Sequence, residues 1–253
     1  MNPLAPLEYH QQQRDDNLRD DLEQLVRLAI REDLDRGIDL TTAATVPLEL
    51  EASAKIVSRV PGVAAGVELI EWIVATTGAK IATEVHVADG GDFAAMQCLA
   101  TLRGNARDLL TCERTILNFL GRLCGIATHT RCFVQAISGT RARVYDTRKT
   151  TPGWRRLEKY AVRCGGGQNH RSGLHDAVLI KDNHLASHYA MKGELLSPAA
   201  AVAAARQFLS AHQTAGETTI VEVEVDSLDQ LADALKDAPD IVLLDNMSLE
   251  QLR

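Results

Sequence analysis

From Arg141 to Arg253, apolar runs of two different periods alternate along the chain. "RARVYD" (141–146), "DAVLIKD" (176–182), "TIVEVEVD" (219–226) and "DIVLLDN" (240–246) read as strands. Between and after them, "GWRRLEKYAVRCG", "SPAAAVAAARQFLSAH", "SLDQLADALKD" and "SLEQLR" carry helical spacing. Ser197 is placed to cap the second of these helices, with Pro198 at its first position. Strands alternating with helices of this length mean βα units and a parallel sheet. The repeat of roughly 20–40 residues suits a βα-barrel better than an open sheet. No GxGxxG follows the first strand of the chain, which weakens a dinucleotide-binding reading.

The N-terminal part has a different rhythm. Residues 1–16 are polar and read as loose. From Asn17, the spacing of Leu18, Leu22, Leu25, Val26, Ala29, Ile30 and Leu34 predicts a helix that Gly37 would close. "DLTTAATV" leads into a strand-like "AKIVSRV", and "PGVAAG" is a turn. "VELIEWIVATTG" is helical, "KIATEVHVADG" and "MQCLATLRG" are strand-like, and helical pattern runs from Ala106 to Ser138. The expected fold class is therefore α/β, with an α+β sandwich domain over residues 1–120 and a βα-barrel over residues 121–253.

Charge narrows the function. The 253 residues carry a net charge of −7, yet residues 146–184 hold eight of the 27 Lys and Arg against four acids. A basic island of +4 in an otherwise acidic chain focuses a field on a small anion, although a solvated helix face would read the same way. The overall acidity argues against a general nucleic-acid binder. Five scattered cysteines without a CxxC pair read as free thiols of a reducing cytosol. The apolar runs fall short of the ~20 residues a membrane span needs, and no secretion leader is legible, so a cytoplasmic protein without membrane contact is expected.

Working residues of a βα-barrel sit at the C-terminal ends of strands. Here those positions read Asp146-Thr-Arg148-Lys149, then Lys181-Asp182-Asn183-His184, then Glu222, Glu224 and Asp226, then Asp245-Asn246. A glycine stretch between the first two, "GGGQNHRSG", carries His170 and Arg171. The early ends supply the cations Arg148, Lys149, Arg171 and Lys181, which suit carboxylates or phosphates. The late ends supply Glu224 and Asp245, which suit ribose hydroxyls or Mg²⁺. Mutual pairing of the two sets as a structural network is the competing reading.

The block "DTRKTTPGWRRLEKYAVRCGGGQNHRSGLHDAVLIKDNH" (146–184) resembles the signature of the quinolinate phosphoribosyltransferase family, the carboxylating nicotinate-nucleotide diphosphorylases. "DLTT" (39–42), "ERTILNFLGRLCGIAT" (113–128), "VEVEVDSLDQL" (221–231) and "LLDN" (243–246) are similar to that family in the same order. The resemblance implies transfer of phosphoribosyl from 5-phosphoribosyl-1-diphosphate to quinolinate, with Mg²⁺, giving nicotinate mononucleotide, CO₂ and diphosphate for NAD synthesis. It implies that Arg148, His170, Arg171 and Lys181 hold the quinolinate carboxylates and that Lys149 faces the ribosyl diphosphate. Glu224 and Asp245 would contact ribose hydroxyls directly or through Mg²⁺. Arg114 would reach the pocket of a neighbouring subunit in a homodimer with shared sites. The family continues beyond the position of Arg253 through two further strands with phosphate-gripping loops, so the barrel is expected to be incomplete in this sequence. Two alternatives stay open: a barrel lyase using Lys149 or Lys181 as a Schiff base, and an inactive, anion-binding paralogue related to molybdate transport. Trp154 and His175 stand out as large residues in a motif expected to be plainer, and His129 and His188 read as packing or surface residues.

Overall fold

A computed structural model describes residues 8–189, 193–212 and 218–253. Contacts divide the chain into two compact units. One spans Gln11–His170, and the other joins the N-terminal segment through His10 to Arg171–Arg253.

In the larger unit, helix α1 (Asp16–Leu34) starts at Asp15, whose carboxylate accepts from the Leu18 amide at 2.8 Å. It buries Leu18, Leu22 and Val26, the predicted stripe. Complete burial of such side chains contributes about 1.5–3 kcal/mol each. The helix ends earlier than Gly37: Asp35 takes the left-handed φ of 49° and its amide bonds to Arg31 O. "DLTTAA" forms a short helix, α2 (Leu40–Thr45), capped by the Asp39 carboxylate on the Thr42 amide at 3.0 Å. Strands β1 (Glu51–Val57), β3 (Ile81–Val85) and β5 (Cys98–Asn105) form an antiparallel sheet in the order β1-β5-β3. The predicted "PGVAAG" turn includes β2 (Gly62–Val63), paired with β4 (Asp92–Phe93). Helices α3 (Ile70–Thr77) and α4 (Ala106–Ala136) match their expected spans. Residue 120, the expected domain boundary, lies inside α4, whose buried residues share one core with α1, the strands and α5 (Arg155–Cys164).

The strand expected at 141–146 is reduced to one parallel bridge, Tyr145 to Gln168. The segment reading as loose is not so at residues 11 and 12. The Gln12 amide donates to Asn169 Oδ1 at 2.7 Å, and Gln11 exchanges hydrogen bonds with the Asn169 backbone. Residues 1–7 of that segment lie outside the described residues.

The smaller unit is the βα run itself. Strands β6 (Val178–Ile180), β7 (Val221–Val225) and β8 (Ile241–Leu244) form a parallel sheet in sequence order. Helix α6 (Asp182–Ala186) follows β6, α7 (Pro198–His212) precedes β7, and α8 (Leu228–Ala234) with a 3₁₀ turn (Leu235–Asp237) precedes β8. Pro198 does open α7, and Ser197 Oγ accepts from the Ala200 amide at 3.2 Å. "SLEQLR" forms turns instead of the expected helix. The alternation "VEVEV" puts Val221, Val223 and Val225 into the core under α7 and α8. Glu222 and Glu224 consequently share the opposite face.

Candidate active site

In the larger unit the basic segment is organised around one buried carboxylate. Asp146 follows the Tyr145 bridge, and its amide donates to Gln168 O at 3.1 Å. One carboxylate oxygen accepts from Lys159 Nζ and from the His170 amide at 2.8 Å. The other accepts from Asn169 Nδ2 at 2.7 Å. Lys159 projects from α5, is 1% exposed, and donates also to His170 O at 2.9 Å. The buried Asn169 side chain donates further to Lys159 O at 2.9 Å. This network holds the residues flanking Arg148, Lys149 and His170. Nothing in the sequence singles out Lys159 or Asn169. Lys159 lies opposite the apolar stripe of its own helix, so nothing local marks it as buried.

The glycines of the same segment are packing residues. A side chain on Gly165 would meet Ala127 O at 2.4 Å and Thr130 of α4, and Gly166 has a φ of +90°.

The four cations near the start of the motif then separate by role. Arg156 pairs with Asp21 of α1 at 2.9 Å, and Arg155 Nε donates to Thr150 Oγ1 at 3.1 Å. Arg148 is half-buried, and its Nε is buried without a hydrogen-bond partner among the described residues. Lys149 is exposed and makes no ion pair among the described residues. Arg114, on α4, is exposed and likewise makes none. So the larger unit holds Arg114, Arg148, Lys149 and His170.

The smaller unit holds the remaining predicted residues at the ends of its parallel strands. Lys181, directly after β6, places Nζ 3.1 Å from Glu224 Oε2 on β7. This pair realises part of the expected mutual network of cations and carboxylates. The Lys181 amide donates to His184 Nδ1 at 2.9 Å, which fixes the start of α6. Asp245 follows β8, its amide on Val225 O at 2.9 Å and its carboxylate accepting from Asn246 at 2.7 Å. Arg171 is buried, with Nη1 donating to Ala177 O at 3.3 Å. An open cleft of about 570 Å³ lies beside it, lined by His175, Leu179, His184 and Phe208 among others.

Glu222, 2% exposed, accepts from the Tyr9 hydroxyl, a contact spanning 213 residues. Burial, then that hydrogen bond, raises the Tyr9 hydroxyl above the ordinary phenol range. The sequence hints at Glu222 through its alternation with valines but says nothing of Tyr9. Of the lesser histidines, His129 lies edge-on to Phe133 at 5.0 Å and His188 is half-buried.

All five cysteines are free. Among the described residues no helix is long and apolar enough to cross a membrane, and no three His, Cys, Asp or Glu side chains group to hold a metal ion.

Known proteins resemble the chain along most of its length. The quinolinate phosphoribosyl transferase N-terminal domain matches residues 39–124, and the C-terminal domain of the same enzyme matches residues 126–253. A "nicotinate-nucleotide pyrophosphorylase [carboxylating]" of Mycobacterium leprae is 43% identical over 230 residues, which cover 89% of this chain and 75% of that protein. A "probable" enzyme of the same name from Bacillus subtilis is 37% identical over 92% of this chain and 75% of its own. The solved nicotinate-nucleotide pyrophosphorylase of Francisella tularensis superposes with a TM-score of 0.84 at 36% identity, covering 97% of this chain and 80% of that one. With both domains matched in order and the βα run in place, the chain belongs to the quinolinate phosphoribosyltransferase family.

Proposed function

We propose that this chain transfers the phosphoribosyl group of 5-phosphoribosyl-1-diphosphate to quinolinate with loss of CO₂, giving nicotinate mononucleotide and diphosphate. The observation that carries the reading is the state of Arg148. Asp146 is engaged by Lys159, Asn169 and the His170 amide, and among the described residues it pairs with neither Arg148 nor Lys149. Arg148 keeps a buried N–H without a partner among the described residues, which favours an anionic ligand there.

Quinolinate presents two adjacent carboxylates, and we assign Arg148, His170, Arg171 and Lys181 to them. Lys149, exposed and without an ion pair among the described residues, is assigned to the diphosphate of the donor. Glu224 and Asp245 are assigned to the ribose hydroxyls. Departure of diphosphate leaves positive charge at C1 of ribose, and the pyridine nitrogen attacks that carbon. The ring nitrogen is then cationic and stabilises the carbanion left as the neighbouring carboxylate departs as CO₂. The protein's share is placement of the two reactants and neutralisation of the diphosphate charge. Mg²⁺ takes one or two carboxylates together with substrate phosphates, and Glu224, held 3.1 Å from Lys181, and Asp245 are the carboxylates that would hold it. Bound there, Mg²⁺ would neutralise the leaving diphosphate.

The named relatives favour this transferase over a Schiff-base lyase. A homodimer with shared sites is the assembly we propose, supported by Arg114, which is exposed on α4 and makes no ion pair among the described residues. Mixing Arg114→Ala chains with Lys181→Ala chains should then restore activity that neither has alone. Free thiols throughout favour a cytoplasmic setting. The direct test is product analysis with quinolinate, 5-phosphoribosyl-1-diphosphate and Mg²⁺. Nicotinate mononucleotide and CO₂ in equal amounts are expected, and their absence would count against the proposal.

A further inference from the structure

Trp154 has no place in the chemistry above. It follows the Pro152-Gly153 turn, half-buried, immediately before α5. Its ring stacks on Phe119 of α4, with centroids 4.7 Å apart and planes at 29°. Arg122, three residues along α4, holds its guanidinium carbon 5.0 Å from the Trp154 ring centroid. The same guanidinium donates to the Thr151 hydroxyl and to the Glu158 carboxylate on α5. One side chain therefore touches the loop, the residue that ends it and the helix that follows.

The loop between Asp146 and Trp154 carries Arg148 and Lys149. Neither residue has an ion pair of its own among the described residues, so the ends of the loop must set their positions. The N-terminal end is tied down by the Asp146 network. Inside the loop, the Lys149 amide donates to Thr147 Oγ1 and the Thr150 amide to Arg148 O, both at 3.0 Å. The Trp154 amide donates to Thr151 O, also at 3.0 Å. A displacement at Thr151 or Trp154 thus passes to the backbone of Arg148. The Arg122–Glu158 pair is partly exposed, with the arginine side chain 39% accessible, and as an isolated ion pair it would add little stability. Nη2 of Arg122 donates to both the Thr151 hydroxyl and the Glu158 carboxylate while the planar guanidinium lies over the ring, a stacked arrangement that a compact lysine ammonium does not reproduce.

We infer that Arg122 and Trp154, backed by Phe119, are positioning residues that hold the Arg148–Lys149 loop in its substrate-binding geometry. The inference rests on the function proposed above for that loop. Two measurements separate them, using Arg122→Lys, Arg122→Ala, Trp154→Phe and Trp154→Ala in the full chain.

The first needs no substrate. Native protein is treated briefly with trypsin, and cleavage after Arg148 and Lys149 is followed by mass spectrometry. The alanine variants should be cut on the order of 10-fold faster there, reporting local opening, while Trp154→Phe keeps the parent rate. The second is steady-state kinetics alongside melting temperature. The alanine variants and Arg122→Lys should raise KM for quinolinate and for the phosphoribosyl donor by roughly 10-fold, with Trp154→Phe restoring it.

Parent-like cleavage in both alanine variants overturns the clamp. Faster cleavage with unchanged KM values overturns the positioning role and leaves only a structural one. A parent chain that forms no nicotinate mononucleotide counts against the proposed function, and the cleavage rates still decide the clamp. If an alanine variant fails to fold, Arg122→Lys takes its place in both measurements: faster cleavage after Arg148 and Lys149 with raised KM values is expected, and parent-like cleavage overturns the clamp.

Discussion

Two positively charged side chains thirteen or fewer residues from Asp146 behave as opposites. Lys159 is buried and fully engaged, whereas Arg148 carries a buried N–H without a partner among the described residues. Removing one partner of a buried pair strands the other charge, so Lys159→Ala should lower unfolding free energy by about 3–5 kcal/mol. Combining it with Asp146→Asn should cost less than the sum of the two single changes, as read by chemical denaturation. Arg148→Ala removes no ion pair made with the described residues. Its melting temperature should stay near that of the parent while quinolinate affinity falls by roughly 2–4 kcal/mol in calorimetry. Equal affinity with a lowered melting temperature would make Arg148 a structural residue.

Helix α7 shows how an element is held at its start. Its first amides meet two acceptors, Ser197 Oγ on Ala200 at 3.2 Å and the Asp233 carboxylate of α8 on Ala199 at 3.0 Å. Ser197→Ala should cost about 1 kcal/mol of stability, measured by denaturant titration. The Ala199 amide, and after it Lys236, hold the Asp233 carboxyl below the ordinary carboxylate range. Its contribution is present above that ordinary range and is lost as pH falls through the lowered value, so Asp233→Asn should matter at neutral pH and cease to matter in acid. Caps of this kind are legible because a serine followed by proline before an apolar run is a local pattern. The Asp233 contact is not legible, since it joins residues 34 apart in sequence.

Across the whole molecule, neutral acids are buried in several places. Burial first, then the nearby Asp89 carboxylate, pushes the Cys164 thiol up to about 12 from an ordinary 9.0. Tyr9 and Tyr160 are raised too, each chiefly by burial. A raised folded value means the contribution is complete below the ordinary value and disappears as pH rises through the folded one. The melting temperature should therefore hold to about pH 9 and then fall, with Cys164→Ala removing part of the fall. Burial likewise raises Cys112 and Cys124, while Cys132 is exposed. Alkylation of native protein at neutral pH should label Cys132 first and reach Cys112, Cys124 and Cys164 only on unfolding. Early labelling of Cys164, which is half-buried, would contradict its raised thiol.

The sequence alone determined the order of elements in the βα run, because strand and helix periods are properties of neighbouring residues. It also determined the family signature from Asp146 to His184 and the charged residues at the ends of β6, β7 and β8. The strand expected at 141–146 shrank to a single bridge, and the tail at 248–253 to turns. Apolar pattern permits a strand, but pairing partners make one. Only tertiary structure decided which charges are spent within the fold. Lys159 is consumed by Asp146, and Glu222 is met by a tyrosine 213 residues away. Charge pairing depends on distance in space, which sequence spacing does not report, and it is this that separates the cations holding the loop from those left to hold a ligand.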